Sequence, residues 1–173
     1  MDDTSVSAER IDYESGVSNT DGLEVRIWLR LLTCSNLIGS GVRQKLHHDY
    51  DTTLPRFDIL AQLDRASDAL SMGELSQRLM VTNGNITGLI DRLVRDRLVA
   101  REPAPNDRRM QLVRLTDDGR NSFAALAADH RKWVTEMMDD MSTAEMTQLY
   151  DLLAKLKGSV LEPRDAQDEG NAE

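Results

Sequence analysis

Disulfide chemistry within one copy is closed to this chain, because it holds a single cysteine, Cys34. A lone thiol suits a reducing compartment. Histidine is also scarce. His47 and His48 are neighbours, which point apart on a helix, and His130 is the only other one, so no metal is expected. Aromatic residues make up 4% of the chain against 40% hydrophobic residues overall. A core of Leu, Ala, Val and Met, and therefore a mainly helical protein, is expected. No apolar run reaches the roughly 20 residues that a membrane span needs, so no membrane partner is expected. The first ten residues, MDDTSVSAER, are acidic and carry no secretory core. A cytoplasmic protein is the expectation. Acid pairs such as Asp139-Asp140 read as solvated helix ends. No nucleophile–base pattern and no phosphate loop is present, so neither catalysis nor a cofactor is expected.

Positive charge is short as well. Twenty-one Lys and Arg face thirty Asp and Glu, for a net charge of −9. That balance opposes nucleic-acid binding until it is located along the chain. Residues 1–22 carry −5 and residues 162–173 carry −4, which accounts for all of it. Residues 71–115 carry +3. The acidic ends read as solubilising, disordered arms, or as segments that repel phosphate and discourage loose binding.

That basic segment is SMGELSQRLMVTNGNITGLIDRLVRDRLVAREPAPNDRRMQLVRL. Ser71 and Glu74 form a capping box for a first helix that ends near Met80. Thr82-Asn83-Gly84 marks a turn and a new cap. A second helix then places Ile86, Leu89, Ile90, Leu93 and Val94 on one stripe. Its other side shows Asn83, Asn85, Thr87, Gly88, Asp91, Arg92 and Arg95. A leading turn that presents amides and hydroxyls suits base edges in a major groove. Two helices joined tightly, the second polar at its tip, make a helix-turn-helix. Strands at 98–101 and 111–115 flank a loop with Pro103, Pro105, Asp107, Arg108 and Arg109. This hairpin reads as a wing, with Asp107 holding one arginine while the other enters a minor groove.

Thr82, Asn83, Asn85, Thr87 and Gly88 are thus candidates to meet bases, although Thr82 and Asn83 also read as plain helix caps. Arg92 and Arg95 are phosphate candidates; alternatively Arg92 pairs with Asp96 four residues on. Arg108 and Arg109 are the wing candidates.

The runs LPRFDILAQL, MGELSQRLMVTNGNITGLIDRLVRDRLVARE and NDRRMQLVRLTDDGR resemble the multiple-antibiotic-resistance regulator (MarR) family in order and spacing. The likeness spans residues 54–120. One departure stands out: Arg97 occupies the place where the family usually has glycine. A glycine there takes a positive φ at the helix end, so Arg97 must either carry that strain or end the helix differently. The resemblance implies a winged helix-turn-helix and a homodimer on palindromic double-stranded DNA. It further implies a repressor released by a small aromatic effector, either a carboxylate or a CoA thioester such as hydroxycinnamoyl-CoA. Candidate effector contacts are Trp28, Ser35 and Phe57 for the ring, and Arg26, Arg30 and Arg56 for carboxylate or phosphates. Trp28 and Phe57 also read as ordinary core. A branch of the family senses oxidants through a cysteine in its first long helix. Cys34, among Leu31, Leu32, Leu37 and Ile38, reads instead as a buried, inert thiol. A redox regulator and a winged-helix protein-interaction module remain open alternatives.

The remaining chain fits this frame. Residues 1–22 form an acidic arm. Within 23–53 a helix over 23–48 has apolar side chains round so much of its girth that it needs two partners. Thr52 or Thr53 caps a helix over 54–64, with Pro55 in its first turn, and 66–70 is a connection. The DNA-binding module is 54–116. Residues 117–161 hold two helices, the first capped by Thr116 and the second by the box Ser142–Glu145. The expected fold is mainly α with a small β-wing, flanked by N- and C-terminal dimerisation helices, and 162–173 is a disordered tail.

Overall fold

The structure is a computed structural model that describes residues 12–18, 20–107 and 109–161. Most of the two acidic arms, together with Arg108 and the Asn83 side chain, lie outside the described residues. The elements run α1 (Leu23–Tyr50), α2 (Leu54–Arg65), β1 (Leu70–Ser71), α3 (Met72–Leu79), α4 (Asn83–Arg95), β2 (Val99–Pro103), β3 (Gln111–Leu115), α5 (Asp117–Glu136) and α6 (Thr143–Leu161). The chain divides into one compact unit ending at Val134 and a second beginning at Thr135.

The first unit is organised by the apolar stripe of α4. Ile86, Ile90 and Leu93 are fully buried, as are Leu46 of α1, Ile59 of α2, Leu75 of α3 and Val113 of β3. Residues three and four apart share a helix face, so this stripe turns the opposite side of α4 outward. Ser71 caps α3 as its spacing predicts. The Ser71 hydroxyl accepts from the Glu74 amide (3.2 Å), and the Glu74 carboxylate accepts from the Ser71 amide (2.7 Å). Those bonds hold the Glu74 carboxyl below the ordinary carboxylate range. Thr53 occupies the cap position of α2, but its side chain makes no cap hydrogen bond.

The sheet has three antiparallel strands in the order β1-β3-β2. Val99 pairs with Leu115 and Pro103 with Gln111. Pro103 is tolerated because β2 is an edge strand. The segment before Ser71 is not a plain connection. Leu70 pairs with Val113 and Ser71 with Leu112. Two residues are too few to show an alternating pattern, and the free edge of β3 supplies their pairing.

Arg97 carries the strain. Its φ is +60°, a region that costs a residue with a Cβ about 1–2 kcal/mol. Its carbonyl accepts from the Thr116 hydroxyl (2.7 Å), which itself accepts from the Gly119 amide (2.9 Å). The helix end, the wing and the start of α5 are therefore joined through one threonine.

Helices α1, α2 and α5 meet over an aromatic cluster. Phe57 stacks on His130 with ring centroids 4.4 Å apart and tilts against Phe123 at 5.6 Å. Tyr50 meets Trp133 edge-on at 6.1 Å, and its hydroxyl donates to Asp129 (2.5 Å). Burial, assisted by Arg65, holds the His130 imidazole below its ordinary value of about 6.5. The folded state then binds protons less readily at this ring than the unfolded chain does. Its stabilising contribution is complete above that ordinary value and is lost as pH falls below it. We expect the melting temperature to drop between pH 7.5 and pH 5.5, and to drop less in His130→Phe, which keeps the ring stack. Equal drops in both proteins would contradict this assignment.

Half of α1 is bare. Val42 and Leu46 are buried, whereas Leu23, Val25, Ile27, Trp28 and Leu37 are exposed, Trp28 by 61%. Cys34 is exposed too, which corrects the expectation of a buried thiol: among the described residues the apolar side chains around it do not close over it. In the second unit, α6 opens on its predicted capping box, with the Glu145 carboxylate 2.8 Å from the Ser142 amide. Its apolar residues Leu149, Leu152, Leu153 and Leu156 remain between 38% and 58% exposed. Among the described residues no helix is long and apolar enough to cross a membrane.

Candidate nucleic-acid interface

The turn between α3 and α4 is tight because Met80 takes a left-handed conformation (φ 54°) and Val81 donates to the Ser76 carbonyl (3.1 Å). Helix α4 begins at once, with Asn85 donating its amide to the Thr82 carbonyl (3.2 Å). Thr82 holds the cap position, yet its hydroxyl makes no cap bond. The plain capping role therefore does not account for it. Thr82, Asn85, Thr87, Gly88, Arg92 and Arg95 are all exposed. Of Asn83 the structure describes only the backbone position, the first residue of α4.

Glycine at 88 is not demanded by the protein's own packing. A Cβ there, or at Gly84, would meet nothing within 4 Å. The outer face of the first two turns is thus low and open, as a helix lying against a groove requires.

Two ion pairs fix the rest of α4. Arg101 of β2 pairs with Asp91 (2.8 Å), and Arg56 of α2 pairs with Asp96. Asp96 therefore takes Arg56 rather than Arg92, which corrects the alternative of a pairing within the helix. Arg92 has no ion-pair partner among the described residues. Arg95 reaches back toward the Asp91 carbonyl (3.4 Å).

At the wing tip, Ala104 donates to the Met110 carbonyl (2.9 Å) and Met110 to that of Asp107 (3.0 Å). The Asp107 carboxylate accepts from the backbone amide of Arg109 (2.9 Å). It shapes the turn through this bond, and a pairing of Asp107 with Arg108 lies outside the described residues. The Arg109 side chain is exposed and has no ion-pair partner among the described residues.

Sequence reasoning overlooked α3 as a contributor. An open concavity of about 700 Å³ is lined by Gly73, Ser76, Gln77 and Met80 as well as Thr82 and Asn85. Met80 is 88% exposed. The signal was available: Gln77 sits opposite Leu75 and Leu79 on a short amphipathic helix, with Ser76 at the margin of its apolar side.

The effector candidates fall into two groups. Arg26, Trp28, Arg30 and Ser35 are exposed on α1, with Arg30 paired to Glu14. Arg56 is engaged with Asp96, and Phe57 is buried in the aromatic cluster. His48 contacts Asp49 (2.6 Å). Among the described residues no group of three or more His, Cys, Asp or Glu could hold a metal.

The comparisons with known proteins agree with this geometry. A model described as the MarR family matches residues 50–110. The transcriptional activatory protein BadR of Rhodopseudomonas palustris is 30% identical over 154 residues, covering 87% of each chain. A crystal structure of a MarR family transcriptional regulator from Silicibacter pomeroyi is 30% identical, with a TM-score of 0.70, over 83% of this chain and 99% of that one. The fold is also shared with Sco3205 of Streptomyces coelicolor, a MarR family regulator solved in complex with DNA. That chain is 21% identical with a TM-score of 0.73, over 88% of this chain and 96% of that one.

Proposed function

Since this chain belongs to the MarR family of DNA-binding transcriptional regulators, we propose that it works as a homodimer on a pseudo-palindromic operator and is released by a small aromatic effector. The observation that carries the reading is the open, polar first turn of α4, at Asn85, Thr87 and Gly88, beside an arginine-tipped wing. Bare apolar residues on the first half of α1 and on α6 support pairing with a second copy. A two-fold dimer presents its two α4 helices about 34–36 Å apart, one turn of DNA. Repression by blocking a promoter is the mode we propose. The activator named among the relatives favours, as a second reading, activation from the same site.

In this reading the effector is an aromatic carboxylate or its CoA thioester, held where α1 meets the partner copy. Trp28 and Ser35 would face the ring, and Arg26 and Arg30 the anionic groups, the guanidinium offering a paired-donor fork. The effector acts by favouring a spacing of the two α4 helices that no longer fits successive grooves. Exposed Cys34 supports a thiol-switch alternative. Cys34→Ser that still responds to aromatic acids excludes it.

Selection of bound sequences from a random DNA pool, followed by release with aromatic acids and acyl-CoAs, tests the whole reading. A monomer, or a pool that yields no two-fold motif, sinks it. The wing has its own test. Removing both tip arginines (Arg108→Ala with Arg109→Ala) is expected to weaken binding to every sequence. The slope of log affinity against log salt should fall by about 0.9 for each phosphate that is no longer neutralised. An unchanged slope would take the wing off the DNA.

A further inference from the structure

A second, more enclosed cleft of about 370 Å³ lies between α2 and the α3–α4 pair. That volume lies within the roughly 300–1,000 Å³ of small-molecule sites. Its walls are mostly apolar: Ile59 from α2, Leu79 from α3, and Ile86 and Leu89 from α4. The lining carries one charge, the carboxyl of Asp58 on α2. Asp58 is partly buried, and no described residue gives it a hydrogen bond or an ion pair. Asn85 supplies the one side-chain amide, and the same residue lines the open concavity on the proposed DNA face.

We infer that this cleft binds a small apolar cation, an amine carried on an aromatic or branched aliphatic body. The ammonium would sit on Asp58 and the body against the half-buried Leu79 and Leu89. A partly desolvated carboxylate without a partner is costly, and a cation of matching shape removes that cost while its body leaves water. Burial lifts the Asp58 carboxyl above the usual carboxylate range, and Arg65 returns only part of that shift. An organic anion meets the opposite field, so this site is chemically distinct from the one proposed for aromatic acids along α1. A ligand held here touches α2 and the first turn of α4 together. It therefore shifts DNA affinity by whatever preference it has between positions of Asn85. That coupling rests on α4 being the DNA-reading helix; the binding itself does not.

The test is calorimetric titration of the full chain with phenethylamine, without DNA, beside phenylpropionate as an anion of similar shape. The amine should bind and the anion should not compete with it. Asp58→Asn should weaken the amine about fivefold, the upper end expected for a partly exposed charge pair. Val81→Trp, which fills the cleft from its partly exposed rim and leaves the charge in place, should abolish binding. Absence of amine binding, equal binding by either variant, or a preference for the anion overturns the site. If Asp58→Asn does not fold, Val81→Trp and the anion comparison still decide. Amine binding that leaves DNA affinity unchanged overturns the coupling alone. A protein that takes the amine yet ignores DNA overturns the proposed function and leaves this site standing.

Discussion

Gly119→Ala is expected to lower the stability of this protein by about 3 kcal/mol or more, at the top of the range for forced overpacking. A Cβ at position 119 would lie 1.9 Å from the Leu98 carbonyl oxygen, 2.8 Å from its carbon and 3.1 Å from its Cα. These are backbone atoms, so no rotamer change relieves the clash. The Leu98 oxygen is also held in place, because it accepts from the Thr116 amide (3.1 Å). Thr116 in turn bonds the Arg97 carbonyl and the Gly119 amide. Relief therefore requires the start of α5 to part from the start of the wing, beside a residue already strained at φ +60°. Urea denaturation gives the measurement, with Gly88→Ala as the control. That glycine has open space around it, and alanine within a helix is expected to be neutral or to stabilise by up to about 1 kcal/mol. A Gly119→Ala midpoint equal to the parent's would show that the close approach is not a real constraint.

Asn85→Ala is expected to cost about 1–3 kcal/mol of discrimination between the operator and altered sequences, the worth of one good base contact. Affinity for random DNA should change little, because that term comes from phosphates. The fold should tolerate the change, since Asn85 is exposed in the first turn of α4 and its backbone amide bond to Thr82 is kept. Competition binding with single-base operator variants separates the possibilities. Equal losses on operator and random DNA would reduce Asn85 to a general, sequence-blind role. A loss confined to one base position would assign the residue its partner.

Much of the DNA-facing module was legible because it depends on short-range rules. A capping box is four residues long, and Ser71–Glu74 and Ser142–Glu145 both formed where their spacing placed them. The α4 stripe repeats every three or four residues, so one helix predicts its own buried side, and with it the exposure of Asn85 and Thr87. Charge location followed from composition by segment. Other features depend on chain segments far apart. Asp96 is held by Arg56, forty residues earlier, and local spacing offered only Arg92. The Leu70–Ser71 strand exists because β3 lends it an edge.

Order along the chain was enough to specify the helices, the two capping boxes, the winged hairpin and a basic segment between acidic ends, since neighbours within a turn or a strand pair decide these. Three matters were left to the packing of distant parts. They are which faces stay bare, as at Cys34 and Trp28; which charges meet, as at Arg56 and Asp96; and why position 119 must lack a side chain. Each depends on atoms brought together in space by a core to which residues from Val42 to Trp133 contribute at once, and no local pattern carries that information.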